Sequence, residues 1–108
     1  MQTALIRGAD CFNQHRFFDA HEILEHSWTH APRRYRYFLQ GLIHFAVAFH
    51  HLENKNREGF EKQLAKARKR IAGYLPSFEG VPTLPLYLWE AGDPYPLLKV
   101  ESQSDPDR

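Results

Sequence analysis

At 108 residues, the chain is the size of one domain and can bury roughly two thirds of the surface its unfolded form exposes, enough for one core. A formal net charge of +1 gives no global attraction toward nucleic acid or acidic lipid, and the single cysteine, Cys11, excludes an intrachain disulfide and a multi-cysteine zinc site. The longest apolar run, Leu42 to Phe49, is too short to span a bilayer and is interrupted by His44; no signal-peptide pattern opens the chain, so the expected setting is the cytoplasm, without membrane contact.

Thr3 to Asn13 reads as a first helix, with Thr3 as candidate N-cap and Leu5, Ala9 and Phe12 on one side. A polar turn, Asn13 to Arg16, separates it from a second helix over about Phe17 to His30. Asp19 and Glu22 lie early in that helix, where its dipole favours negative charge. Pro32 cannot continue it and suits the first turn of the next helix.

The third helix, about Arg33 to Leu52, is the most apolar stretch. Leu39, His50, Ile43, Ala46, Tyr35 and Leu42 cluster on one side at 100° per residue. Phe38, Phe45 and Phe49 form a second apolar band, which serves as core if covered and as a homodimer surface if exposed. Gln40, His44 and His51 form a narrow polar band. Gly41 and Ala48 occupy the remaining side, where small residues permit close approach of another backbone. A helix apolar over most of its circumference is expected at the centre of the fold.

A polar connection, Glu53 to Glu58, offers Asn54 and Asn56 as caps. Phe60, Leu64, Ala67, Ile71 and Leu75 then recur at helical spacing, opposite Lys62, Lys66, Lys69 and Arg70, until Gly73 and Pro76 end the helix. Thr83, Pro82 and Pro85 mark the start of a short last helix to about Ala91. No stretch alternates with period two between turn signals. The expectation is an all-α, compact bundle of four main helices plus a short C-terminal one. Residues 1–92 form the domain; residues 93–108 form an extended, partly disordered tail.

All seven histidines lie between His15 and His51, and the second helix concentrates the chemistry. With Phe17 as zero, Leu24, Trp28 and His21 fall within about 40° and Glu25 near 80°, while Glu22 and His26 point to the opposite, solvated side. His21 and Glu25, four residues apart, start about 6 Å from each other on one face. One divalent cation, zinc, iron or manganese, accepts imidazole and carboxylate together. A third ligand has to come from another helix, and His50 lies on the core face of the central one. His44 and His51 lie one band aside, and Trp28 walls the pocket. The competing reading is a hydrogen-bonded core cluster, because a bare buried polar group costs about 1–3 kcal/mol. The string His21-Glu22-x-x-Glu25-His26 is not the metalloprotease motif, whose fifth position is histidine.

Phe17-Phe18-Asp19-Ala20-His21-Glu22-Ile23-Leu24-Glu25 with Trp28, followed by Leu39-Gln40-Gly41-Leu42-Ile43 and His50, resembles the bacterial and archaeal domain-of-unknown-function family 309 over roughly Phe12 to Leu75. The resemblance implies a small all-helical domain in which His21, Glu25 and Trp28 matter, together with Gln40 and His50. It also implies metal binding, without an assigned activity. His44 stands where that family usually carries an uncharged residue.

Three functions follow as alternatives. The first is a divalent-metal site of His21, Glu25 and His50, supported by Trp28, Gln40, His44 and His51, with no organic cofactor; an open coordination position would acidify water for hydrolysis of an unknown substrate. The second is a non-catalytic interaction or dimerisation module whose His/Glu cluster is structural. The third is a nucleic-acid binder using the basic run Lys62 to Arg70.

Overall fold

The computed structural model describes residues 2–100. The tail from Glu101 to Arg108 lies outside the described residues. Four helices follow in order: α1 (Gln2–Asn13), α2 (Phe17–Thr29), α3 (Arg33–Glu53) and α4 (Arg57–Ile71). A 3-10 turn over Ala72–Tyr74, a hairpin of β1 (Ser77–Phe78) with β2 (Val81–Pro82), and α5 (Leu84–Leu88) complete the fold. The protein is all-α with one minimal hairpin. No helix of the described residues is long and apolar enough to cross a membrane.

Two of the interhelical turns are made alike. After α1, Arg16 N–H donates to Cys11 O at 2.8 Å and His15 N–H to Phe12 O at 3.0 Å. After α3, Asn56 N–H donates to His51 O at 2.8 Å and Lys55 N–H to Leu52 O at 3.1 Å. These are crossed 6→1 and 5→2 bonds, and they require a left-handed residue at the exit. His15 (φ 62°) and Lys55 (φ 60°) supply it. The Asn56 side chain then accepts from Gly59 N–H at 3.0 Å and caps α4. Thr3 caps nothing, since α1 already begins at Gln2.

α3 lies between α2 and α4, and α1 packs on α2. Gly41 is what brings α3 close to α4: a Cβ there would stand 3.3 Å from Ile71 Cβ and 3.4 Å from Ile71 N. Phe38, Phe45 and Phe49 are fully buried, so the aromatic band is core. Phe49 is its hub, with ring centroids of Phe12, Phe17, Trp89 and Tyr95 within 4.8–5.7 Å.

The hairpin, which the sequence does not announce, turns on Glu79 (φ 50°) and Gly80 (φ 82°). Positive φ at both central residues is what a two-residue hairpin loop needs. Arg34 donates to Glu79 at 2.9 Å and ties the turn to α3. Thr83, wholly buried, donates its hydroxyl to Tyr74 O at 2.7 Å instead of capping α5.

Residues 94–100 have neither helix nor strand, but they are docked. Leu98 is 1% exposed, its N–H donates to Asn13 Oδ1 at 2.7 Å, and Asn13 Nδ2 donates to its carbonyl at 3.0 Å. Trp89 Nε1 donates to Pro94 O at 2.8 Å, and Tyr95 stacks on the Trp89 ring. Arg68, within the basic run Lys62 to Arg70, turns inward and donates to the carbonyls of Tyr87 and Trp89 at the end of α5.

Candidate functional site

The second helix presents His21 and Glu25 as a pair. Nε2 of His21 lies 3.3 Å from Glu25 Oε1, with the imidazole side chain 21% exposed and the carboxylate 54% exposed. His21 is therefore nearly inside and Glu25 at the rim, as their wheel angles imply. Glu22 and His26 are exposed. Nδ1 of His21 is buried and has no hydrogen-bond partner among the described residues.

One turn beyond Glu25, Trp28 faces α3. A cleft of about 110 Å³ opens there, lined by Glu25 and Trp28 from α2 and by Gln40, Ile43 and His44 from α3. Gln40 and His44 are four residues apart, so the helical period places them on one strip of α3. Two polar atoms of this cleft are buried without a partner among the described residues: Trp28 Nε1, a donor, and Gln40 Oε1, an acceptor.

His44 closes the cleft toward α4. Its Nδ1 lies 2.7 Å from Gln63 Oε1. An amide oxygen only accepts, so Nδ1 carries the proton and Nε2 of the neutral ring keeps its lone pair. Burial pushes the His44 pKa below its ordinary value of 6.5; the Gln63 bond opposes that, and the charges of Lys66 and Arg70 reinforce it.

Four of the sequence-predicted residues, Glu25, Trp28, Gln40 and His44, thus converge with His21 behind Glu25. His50 and His51 go elsewhere. His50 is half-buried beside Phe18 (ring centroids 5.5 Å), and Asn54 Nδ2 lies 3.3 Å from its Nε2. Its ring makes no bond to Glu25 among the described residues. His21 also lies 5.5 Å from Phe18, so the two histidines share that half-exposed ring as a neighbour. His51 contacts the α4 cap, with Nδ1 3.3 Å from Asn56 Nδ2. Among the described residues no group of three or more His, Cys, Asp or Glu side chains is gathered to hold a metal ion. Gln63 is the residue that sequence reasoning passed over; its place opposite His44 is set by the α3–α4 packing, and no local signal carries it.

The basic run of α4 is divided among several tasks. Lys62 pairs with Glu58 at 3.2 Å, Arg68 points inward, and Arg70 lies 4.5 Å over the Tyr37 ring. Cys11 sits with Arg7, Asp10, Arg16, Asp19 and Glu22 around a wider, open cleft between α1 and α2, where Arg16 is already paired with Asp19 at 2.8 Å.

A family model described as "Domain of unknown function (DUF309)" matches residues 5–63, more than half of the 108 residues and the whole of the cleft. No curated protein and no solved structure matches the chain.

Proposed function

The chain belongs to the DUF309 family, and from that premise and the side chains that meet between α2 and α3 we propose that this cleft binds a small polar ligand. The observation that carries it is the pair Trp28 Nε1 and Gln40 Oε1, a donor and an acceptor without partners among the described residues, in one cleft with a carboxylate. Each bare buried polar atom costs about 1–3 kcal/mol. An occupant offering one acceptor and one donor relieves both at once, and a few convergent polar groups on an otherwise apolar wall are the usual form of a ligand site.

The residues divide the work. Trp28 donates, Gln40 accepts, and Ile43 supplies the apolar wall. Glu25 takes a donor or a positive charge, held in orientation by His21. His44, neutral at physiological pH and oriented by Gln63, offers a lone pair at Nε2. A thermal-shift screen of small polar metabolites tests the proposal. The expected result is a compound that raises the melting temperature of the parent and leaves Gln40→Leu unmoved. A panel spanning acids, amines, amides and phosphates that stabilises both proteins equally, or neither, overturns it.

A divalent cation is the second occupant the site suits, and one distance favours it. The 3.3 Å between His21 Nε2 and Glu25 Oε1 is long for a charge-assisted hydrogen bond. It matches two donors each about 2.0–2.1 Å from one tetrahedral ion, which stand roughly 3.3–3.4 Å apart. His21 and Glu25 would hold such an ion, which would polarise a water or ligand bound to it. Zinc, iron or manganese that raises the melting temperature of the parent and not of Glu25→Gln supports it; equal effects on both proteins remove it.

A further inference from the structure

Gln63 marks the face of α4 that overlooks His44. Positions 63, 66 and 70 stand at i, i+3 and i+7, so Lys66 and Arg70 lie on that same face. Lys66 is exposed; Arg70 is half-buried, its guanidinium 4.5 Å over Tyr37. On α3, one turn before Gln40, Arg36 sets its guanidinium 4.5 Å over the Trp28 ring. Among the described residues, none of these three cations has a carboxylate within ion-pairing distance. The positive field reaches the cleft, because Lys66 and Arg70 both disfavour protonation of His44. The acid of the cleft is Glu25 on α2, more than half exposed, with the His21 ring beside it. The unmet donor and acceptor, Trp28 Nε1 and Gln40 Oε1, share the cleft with Glu25 and His44.

From this juxtaposition we infer that the ligand is a compact amphoteric molecule, with an anionic carboxylate or phosphate group toward Arg36, Lys66 and Arg70 and an ammonium or amide N–H toward Glu25 and Gln40. The inference rests on the cleft being the binding site and adds the charge pattern of what enters it. Cations on α3 and α4 and an acid on α2 orient such a molecule: reversing it sets like charges against each other at both ends. The small volume accommodates the charged head, and any larger body of the ligand extends into solvent.

The two tryptophans supply a test with a built-in reference. The chain has only Trp28 and Trp89. Trp89 Nε1 is engaged by Pro94 O, whereas Trp28 Nε1 has no partner among the described residues, so in a nitrogen–proton correlation spectrum the Trp28 indole reports the cleft and the Trp89 indole does not. The full chain is titrated separately with glycine, phosphoethanolamine, acetate, inorganic phosphate, ethylamine and acetamide. Glycine or phosphoethanolamine should move the Trp28 resonance with half-saturation at least about tenfold below that of acetamide, leaving Trp89 in place; whichever of the two binds better identifies the anion. Lys66→Met combined with Arg70→Met should raise that half-saturation about tenfold, with the acetamide response unchanged. If acetamide binds as well as the amphoteric probes, the cleft remains a ligand site and the charge pattern falls. If inorganic phosphate or acetate alone matches them, Glu25 plays no part and the inference falls. If no probe moves Trp28 at tens of millimolar, both the inference and the ligand site fall.

Discussion

His44 and Gln63 join α3 to α4 through one polar contact, Nδ1 to Oε1 at 2.7 Å. Because the oxygen can only accept, the contact fixes the tautomer, and because the ring is partly buried, the neutral form is favoured. A histidine whose folded pKa lies below 6.5 binds fewer protons than it does in the unfolded chain when the pH is between the two values. Its stability contribution is therefore complete above 6.5 and declines as the pH falls below that value. Parent and His44→Gln should differ most near neutral pH and converge in acid, measured by urea unfolding at a series of pH values. Gln63→Leu should lower the His44 pKa further, read from imidazole proton shifts, since the bond it deletes favours the charged ring. A parent curve parallel to that of His44→Gln across this range would contradict the assignment.

The two indoles should respond unequally to the same substitution. Trp89→Phe deletes the bond to Pro94 O and bares a carbonyl at a residue only 5% exposed, so it should cost about 1–3 kcal/mol. Trp28→Phe removes a donor that has no partner among the described residues, so its cost should stay within about 1 kcal/mol, or become a gain. Chemical denaturation of both variants decides it. Equal losses would mean that Trp28 contributes structure rather than a binding atom.

Asn13→Ala should loosen the C-terminal strap before it unfolds the protein. Two hydrogen bonds to Leu98 disappear together, and leaving those buried backbone atoms unmet costs about 1–3 kcal/mol. Amide exchange at Leu98 and proteolysis within residues 94–100 should accelerate more than exchange in α3. Uniform acceleration throughout the chain would count against a local clasp.

Asn56→Ala should destabilise α4 by about 1 kcal/mol, and Asn56→Gly by a few tenths, since glycine keeps the turn geometry but loses the side-chain acceptor. The bond to Gly59 N–H at 3.0 Å is the interaction removed. Calorimetry on the two variants checks the ranking.

The bundle was legible because its signals are local. Hydrophobic period, Pro32 and the Asn56 cap place the ends of the four long helices within a residue or two, except that α4 stops at Ile71, short of Leu75, and gives way to the 3-10 turn Ala72–Tyr74. The hairpin was not, since two strands of two residues each leave no alternation to detect. Docking of residues 94–100 was equally hidden: its anchor, Asn13, lies 85 positions away. In the site, the i, i+4 rule paired His21 with Glu25, and the family resemblance brought in Trp28 and Gln40. His50 is half-buried beside Phe18 rather than against Glu25, since a helical wheel gives an angle but no depth. It sits in the last turn of α3, where the helix is leaving the core.

One side chain of the basic run has a different employment from its neighbours. Arg68 reaches from α4 to the exit of α5, where its guanidinium meets the carbonyls of Tyr87 and Trp89 and offsets the negative pole of that helix. Five residues are too few to sustain a helix in isolation. The last helix is thus borrowed order, held at its far end by a cation from another element, and a methionine at position 68 should let Leu84 and Leu88 swing away while the four long helices stay folded.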